Sequence, residues 1–571
     1  ITMAIAIVIS GINALTLTPA LCAMMLIKNH EKKKSWLSWF FRAFNSAYDK
    51  LAVNYGRFLR HIVNRRMVVY SLLLGFIACV WGLGVILPSG FIPTEDQGII
   101  YANITTPSGS TLERTEAVMN SLETAARQVD GVDAVSTLAG FSLFTDGSGA
   151  SFGMGMISLK PWHNRKESVD EVITLLAEKT KNIRDASIQF FPPPAVPGYG
   201  NSSGFEIRIQ DKTGTAPLQT LEKTAREFTS RLNNRPEIRN AFTSYDASFP
   251  QYLVTVDHDK AAQKGVTVNN AMNNLQALIG SYYATNFIRF GQLYKVMLQA
   301  LPRYRAQPED VLKLFIKNNR EEMVPYSAFM SIERVYGPEQ LTRYNMYNSA
   351  MINGEPEPGY SSGEAINAIK EEAEKHLSGG YDFDWSGMTR DEIISGNQAV
   401  YIFMICLLFV YLILSAQYES FKLPFSVILS LPAGIAGAYI LLWALGLQNN
   451  IYAQVALIML VGLLGKNAIL IVEFALMRQR EGMPAAQAAV QGALLRLRPI
   501  LMTSLAFIAG LIPLILADGA GAIGNKTIGA AAAGGMLFGT VFGLLLVPGL
   551  FVMFTGKQKK SENSLVEITK D

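Results

Sequence analysis

Lys466 is the residue in this chain whose position most demands a chemical reason. It sits in "GLLGKNAILIVEF" (Gly462–Phe474), inside an apolar stretch long enough to cross a membrane. A lysine at the centre of such a helix costs roughly 2.5–3.5 kcal/mol on insertion scales, so it normally marks an ion path or a paired carboxylate. Glu473 lies on the same helical face but seven residues on, roughly 10 Å away at 1.5 Å per residue, too far for a direct pair. No other acidic residue lies at membrane depth. The alternatives for Lys466 are snorkelling to an interface, which a mid-helix position disfavours, or burial against backbone carbonyls.

Enzyme chemistry finds little support. There is no nucleophile elbow, no HExxH and no phosphate loop. "GAGAIGNK" (Gly519–Lys526) has glycines but no preceding strand, and reads as a turn. With no nucleotide site and no cofactor motif, the energy source expected is an ion gradient. Cys22, Cys79 and Cys406 all lie in apolar segments, and the five histidines show no ligand spacing, so neither a disulfide framework nor a metal site is expected.

The elements that must position Lys466 are membrane spans. The chain has 571 residues, half of them hydrophobic, and a mean hydropathy of +0.21. That is too apolar for one soluble domain. The net charge of +4 calls for no nucleic-acid partner. Seven stretches read as helices able to span about 30 Å of hydrocarbon: Ile1–Ile27, Met67–Leu87, Ala399–Ala416, Leu423–Leu447, Ile451–Met477, Pro499–Ala517 and Ile528–Phe554. Residues 28–66 carry ten basic and two acidic residues, residues 478–498 carry four and one, and the tail holds Lys557, Lys559 and Lys560. Those segments share one side by parity, which the positive-inside rule assigns to the cytoplasm. "SWLSWFFRAF" (Ser35–Phe44) reads as an interfacial helix, or else as a short cytosolic helix packed on the bundle. The chain opens inside an apolar run without an initiator Met, as a fragment beginning mid-protein would.

Residues 89–396 are soluble in character and fall on the other side. Residues 89–200 alternate as β-α-β-β-α-β, the order of a ferredoxin-like domain. A second such set spans 201–245 and 335–396, with a module at 246–334 inserted between its halves. Within that module "LFIKNNREEMVPYSAF" reads as a hairpin turning at Asn318–Asn319. The fold class expected is therefore a membrane α-helical bundle (1–27, 67–88 and 397–556) with a basic loop at 28–66, a tail at 557–571, and a large outer α+β region.

Six motifs carry a resemblance across nearly the whole chain. They are "LTLTPALCAMML" (15–26), "LPSGFIPTEDQG" (87–98), "SGNQA" (395–399), "YESFKLPFSV" (418–427), "GKNAILIVEFA" (465–475) and "RLRPILMTSLAFI" (496–508). Together they resemble the resistance–nodulation–division (RND) efflux pumps, in the branch that exports hydrophobic and amphiphilic compounds from Gram-negative cells. The match is to the last helix of the first half and all of the second half of a full subunit. The resemblance implies a homotrimeric inner-membrane subunit with a periplasmic adaptor and an outer-membrane channel. It would exchange protons inward for amphiphilic drugs outward, with 89–200 and the split second unit as porter subdomains and 246–334 as a docking subdomain.

The resemblance also assigns residues. Lys466 belongs to a proton relay, facing two aspartates on a helix of the first half. Arg496 and Thr503 match further relay positions, and Asn467 stands beside Lys466. Arg496 also suits a positive-inside anchor, and Thr503 a bond to its own helix backbone. Leu138, Phe141, Leu143, Phe144, Phe152, Met154, Met156 and Phe191 match a substrate pocket divided by a flexible, glycine-rich loop within 139–156, or else belong to ordinary core. Phe152, Met154 and Met156 would share one strand face. Asn318 and Asn319 would dock a partner, or form an ordinary exposed turn. Two rivals stay open: the Cu(I)/Ag(I) branch, for which the Met154–Met156 thioethers are apt, and a lipid- or protein-export relative, which the inserted module disfavours.

Overall fold

The computed structural model describes residues 2–25, 38–144, 147–377, 379–396 and 398–555. The basic tail, Lys32–Lys34 and the end of the hairpin loop at 145–146 lie outside the described residues.

The first apolar stretch is two helices, α1 (Thr2–Leu15) and α2 (Leu17–Met25), broken at Thr16. Pro19 has no N–H to offer the Leu15 carbonyl, and Thr16 Oγ1 donates instead to the Ile12 carbonyl at 2.7 Å. The single span read over Ile1–Ile27 is therefore not one continuous helix among the described residues. Helix α3 (Ser38–Val63) is far longer than the aromatic stretch that signals it. Trp39 stands exposed near its start. Its later half is core, with Leu59 and Val63 buried in the bundle and Tyr55 Oη donating to the Leu544 carbonyl at 2.7 Å. Helix α4 (Arg66–Ile86) follows and packs Val69 against Gly549.

The first α/β unit runs β1 (Ile99–Thr105), α5 (Leu112–Ala126), β2 (Val132–Ser142), β3 (Gly147–Leu159), α6 (Val169–Thr180) and β4 (Ser187–Phe191). Its antiparallel strands order as β2-β3-β1-β4. Thr111 caps α5, and Ser168 with Glu171 closes a capping box on α6. Val118, Met119 and Leu122 of α5, with Val172, Ile173 and Leu176 of α6, bury against Ile100, Ala102, Ile104 and Ile157. That leaves the other sheet face for a different partner.

The second unit is β5 (Phe205–Asp211), α7 (Leu218–Leu232) and β6 (Ile238–Thr243), interrupted and then completed further along the chain. The interruption holds β7 (Phe249–Val256), α8 (His258–Gln263), α9 (Val268–Leu275), β8 (Tyr282–Arg289), β9 (Gln292–Leu298), β10 (Phe315–Lys317), β11 (Met323–Pro325) and β12 (Met330–Gly337). Strands β7 and β12 pair, and β8–β9 stand out as an exposed hairpin. A separate small core gathers Ala261, Ile316, Tyr326 and Phe329. Completion follows with β13 (Arg343–Tyr344), β14 (Tyr347–Pro356), α10 (Ser362–His376) and β15 (Tyr381–Trp385). Strand β14 pairs with both β6 and β5, and β5 with β15, which repeats the strand order of the first unit.

The chain then returns to the bundle through α11 (Gly387–Ser395), α12 (Gln398–Tyr418), α13 (Pro424–Ile428), α14 (Leu431–Ala444), α15 (Ile451–Arg480), α16 (Ala485–Ile515) and α17 (Ala522–Phe554). Among the described residues six helical segments are long and apolar enough to span a membrane. Helices α14, α15 and α17 are the interior, while α4, α12 and α16 are largely exposed along their length. Helices α15 and α16 overrun the expected limits, so the segment 478–498 is not a loop and only four residues (481–484) link them. The α17 helix starts at Ala522 rather than near Ile528. Its first free amides are taken by one carboxylate: Ile523 N donates to Glu95 Oε2 at 3.1 Å and Gly524 N to Oε1 at 2.8 Å. The glycine-rich turn thus carries an internal anion where a phosphate loop would hold an external one. Next to Glu95, Asp96 pairs with the buried guanidinium of Arg165 in the first unit.

Candidate functional site

Asn467 fixes how α15 and α16 meet. Its side chain is buried, and Nδ2 donates to Ser504 Oγ at 3.2 Å. Thr540 Oγ1 of α17 donates to the same oxygen at 2.8 Å. Three helices are therefore tied by one buried polar cluster. Sequence reasoning misses Ser504 and Thr540. A lone Ser or Thr in an apolar run carries no signal until its neighbour is known. Ser504→Ala is expected to cost about 0.6–2 kcal/mol, the range of membrane interhelical hydrogen bonds, read as a lowered unfolding midpoint of the purified protein in detergent.

This pairing sets the depth of the other residues. Antiparallel packing with Asn467 opposite Ser504 puts Lys466 and Thr503 at one level. Both are exposed on the bundle surface. Among the described residues no hydrogen bond or ion pair engages the Lys466 ammonium. Thr503 Oγ1 donates to the carbonyls of Pro499 and Ile500 at 3.0 and 3.1 Å, so it bonds to its own helix. Arg496 lies two turns nearer the basic end. Its guanidinium carbon is 3.8 Å from the Phe474 ring centroid, and its buried Nε has no partner. An arginine stacked on an aromatic ring is held in place while its remaining donors stay free for a carboxylate. Asn467 differs from the other three: it points inward, and its amide is occupied.

The residues matched to a substrate pocket do not form one pocket. The stretch 139–156 is mostly strand, because β2 and β3 extend into it and the connection shrinks to 143–146. Gly153 and Gly155 serve packing rather than mobility: a Cβ at Gly153 would lie 2.8 Å from Met119 Sδ, and one at Gly155 3.2 Å from Ala102 Cβ. Gly140, with φ +84°, sits at the bulge in β2. Phe152, Met154 and Met156 share the sheet face turned away from the helices, where Met154 pairs across to Leu138. Leu138 and Met156 are exposed on it.

Phe144 and Phe191 are buried elsewhere, with ring centroids 4.8 Å apart, and Phe144 meets Phe242 of the second unit at 5.0 Å. Met351 completes this contact, with Leu143 against it. Phe242 and Met351 escape sequence reasoning, since each reads alone as ordinary strand core. Phe141 is half-buried on β2 near Gly140. Between the units lies a cavity of about 60 Å³ lined by Phe144, Phe152, Arg208 and Glu339 among others. That is too small for a drug-sized ligand, which needs roughly 300–1,000 Å³. Two carboxylates cross this cleft to hydroxyls of the first unit. Asp246 accepts from Ser108, and Glu339 from Ser151 at 3.3 Å. Burial pushes the Glu339 carboxyl above its ordinary value, against the lowering effect of Ser151.

The hairpin expected to turn at Asn318–Asn319 has a longer connection, and Asn318 is not at its tip. Asn318 is buried, accepts from Arg320 N and Glu322 N at 2.9 Å each, and donates to the Lys264 carbonyl at 2.9 Å. A side chain with both polar atoms already hydrogen-bonded within the protein has none left for a partner. Asn319 is exposed.

Comparison with known proteins places these features in a family. The model of the AcrB/AcrD/AcrF family matches residues 1–555. The toluene efflux pump membrane transporter TtgB of Pseudomonas putida is 38% identical over 563 residues, covering 97% of this chain and 53% of the relative. The multidrug export protein AcrF and the multidrug resistance protein MdtF of Escherichia coli are each 35% identical, covering 97% of this chain and 54% of the relative. The chain spans about half the length of the curated relatives it matches. Similarity of that extent, together with the six-motif resemblance, settles the family: the chain belongs to the AcrB/AcrD/AcrF family of RND efflux transporters.

Proposed function

We propose that this chain is the second half of an inner-membrane subunit that exports amphiphilic compounds in exchange for protons. The observation that carries the reading is Lys466: an ammonium at mid-membrane, exposed on the bundle surface and, among the described residues, without a partner in this chain. A surface cation at that depth is tolerable when a carboxylate of another segment faces it. Protonation of that carboxylate removes the attraction and frees the helices to shift. Thr503 lies at the same level and Arg496 two turns away, so one face of α15 and α16 presents the relay. Asn467 acts behind it, by fixing the register of the two helices.

The outer units then serve as ferredoxin-like porter subdomains. Their repeated strand order supports that assignment, and residues 246–334 serve as the docking subdomain for an adaptor and an outer-membrane channel, with Asn319 at the contact. The basic segments face the cytoplasm, the α/β region the periplasm, and the working unit is a homotrimer. Phe144 and Phe152 line the substrate cleft, with Phe191 packed against Phe144, and the cleft must open beyond its present volume to admit a drug. The names of the relatives, which are pumps for toluene and multiple drugs, favour this over metal export.

The test is ethidium accumulation in a pump-deficient Gram-negative host expressing the full coding sequence with its adaptor and channel. Low accumulation, abolished by a protonophore while ATP is maintained, is expected. Ethidium levels equal to those of the pump-less host, combined with raised Cu(I) or Ag(I) tolerance, would overturn drug export and favour the metal branch.

A further inference from the structure

Arg239 of β6 stands between two carboxylates, one from each α/β unit. Its Nη1 donates to Asp170 Oδ1 of α6 at 2.9 Å, and its Nη2 to Thr174 Oγ1 at 3.2 Å. Among the described residues this is the one ion pair that joins the first unit to the second. It is an open pair, with the Asp170 side chain 62% exposed and that of Arg239 20%. Pairs so exposed hold weakly, because water screens the charges and ordering the side chains costs entropy. A change of charge nearby can therefore decide whether the pair holds.

The second carboxylate is Glu355 of β14. It sits at the bulge where β14 slips its register with β6, opposite Asn240 and so beside Arg239. Its Oε1 accepts from Ser203 Oγ at 3.1 Å. Ser203 is buried in the connection between the units, and its N–H donates to the Pro192 carbonyl just past β4 at 3.2 Å. The link between the units therefore closes on itself beside Glu355. Asp170, Ser203, Arg239 and Glu355 line one cavity of about 350 Å³, with Glu357 and Glu392 also on its wall. Arg239 is the one basic side chain lining it among the described residues. Burial pushes the Glu355 carboxyl up to about 7; Ser203 and Arg239 draw it back, and Asp170 adds to the rise.

We propose that Arg239 is the moving part of a proton-controlled latch between the two α/β units, held by Asp170 while Glu355 is neutral and drawn to Glu355 when that carboxyl ionises. An anion among these buried groups is costly without a counter-charge, and Arg239 is the cation at hand. Once Arg239 turns to Glu355, Asp170 loses its partner and the ion pair between the units is gone. The sign follows from linkage. The latched form keeps the Glu355 carboxyl above the ordinary carboxylate range, so it binds the proton more tightly than the released form. Latching is therefore fully present in acid and is lost as pH rises through about 7. The latch goes beyond the exporter reading and needs only that the two units move apart.

The test uses the protein from the full coding sequence in lipid nanodiscs, with its native cysteines replaced. Spin labels go on Glu178→Cys of α6 and Lys370→Cys of α10, both exposed, and double electron–electron resonance reads the distance between the units. Singly labelled proteins supply the distances between copies. With the latched form titrating near 7, the ratio of long to short distances should rise about tenfold between about pH 6 and about pH 8. Glu355→Gln stays neutral and should keep the short distance throughout. Asp170→Ala has no latch to lose and should show the long distance already at about pH 6. The same pH response in wild type and Glu355→Gln would overturn the latch. Should Glu355→Gln fold poorly, Asp170→Ala decides alone: a short distance at about pH 6, as in wild type, would be equally fatal. Distances are read without substrate or gradient, so the two ideas fail separately. A pH response in a protein that does not export sinks the exporter reading alone. Export without a pH response sinks the latch alone.

Discussion

Lys466→Ala brings ethidium accumulation up to the level of cells lacking the pump, at unchanged membrane abundance. The size of the effect follows from what the side chain does and does not touch. Among the described residues it makes no hydrogen bond or ion pair within this chain, so its removal leaves the bundle intact. The carboxylate left facing the gap can take up a proton, so no unpaired charge remains at mid-membrane and folding is not harmed. The loss falls wholly on coupling: without the ammonium, a facing carboxylate has no partner to release on protonation. Lys466→Arg keeps the charge but fixes it in a planar fork of different reach, and should export at a small fraction of wild type. Normal export by Lys466→Ala would make the lysine structural and remove the relay.

Gly534→Val disrupts the bundle itself. Helices α14 and α17 cross at a glycine pair, Gly437 and Gly534. A Cβ at Gly534 would stand 2.5 Å from the Gly437 carbonyl oxygen and 2.7 Å from Leu441 Cβ. Backbone atoms cannot swing aside as a side-chain tip can, so the helices must separate. Overpacking in a tight core costs about 1–3 kcal/mol, and more where backbone must move. Separation also forfeits the close approach that holds membrane helices together. We expect a loss of more than about 3 kcal/mol, seen as little folded protein in the membrane and a strongly lowered unfolding midpoint in detergent. Gly462→Ala is the control. Nothing lies within 4 Å of a Cβ there, so it should be neutral or slightly stabilising. Equal behaviour of the two variants would mean that the crossing is not tight.

The contrast between these sites shows what can be read from the chain. Lys466 is legible because one charged residue in an apolar run is conspicuous by cost alone. The helix at Leu112–Ala126 is legible from its period and its Thr111 cap. Helix limits are less so. Residues 478–498 look like a loop because basic residues cluster there, but a helix extending past the hydrocarbon keeps its hydrogen bonds and tolerates charge. Glycine is the most misleading residue. At Gly153 and Gly155 its presence suggests freedom to move, whereas the structure uses it to let α5 lie close to the sheet. Which use applies depends on the partner, and the partner is distant in sequence. The same reason hides Ser504, Thr540, Phe242 and Met351. Asn318 looks like a turn tip by composition, and only its hydrogen bonds show that it faces inward.

The carboxylate of Glu95 at the head of α17 has a mechanical consequence. The helix is 33 residues long, about 50 Å, and stiff along its axis. Two short hydrogen bonds clamp its outer end to a residue four positions before strand β1, and the adjoining Asp96 is bolted to Arg165 at the base of the first unit. An axial slide of this rod cannot be absorbed locally. It must either tear the clamp or tug the strand. Were α17 displaced at the level of Thr540, the shift would reach the foot of the outer unit through this joint, as through a push-rod with little slack.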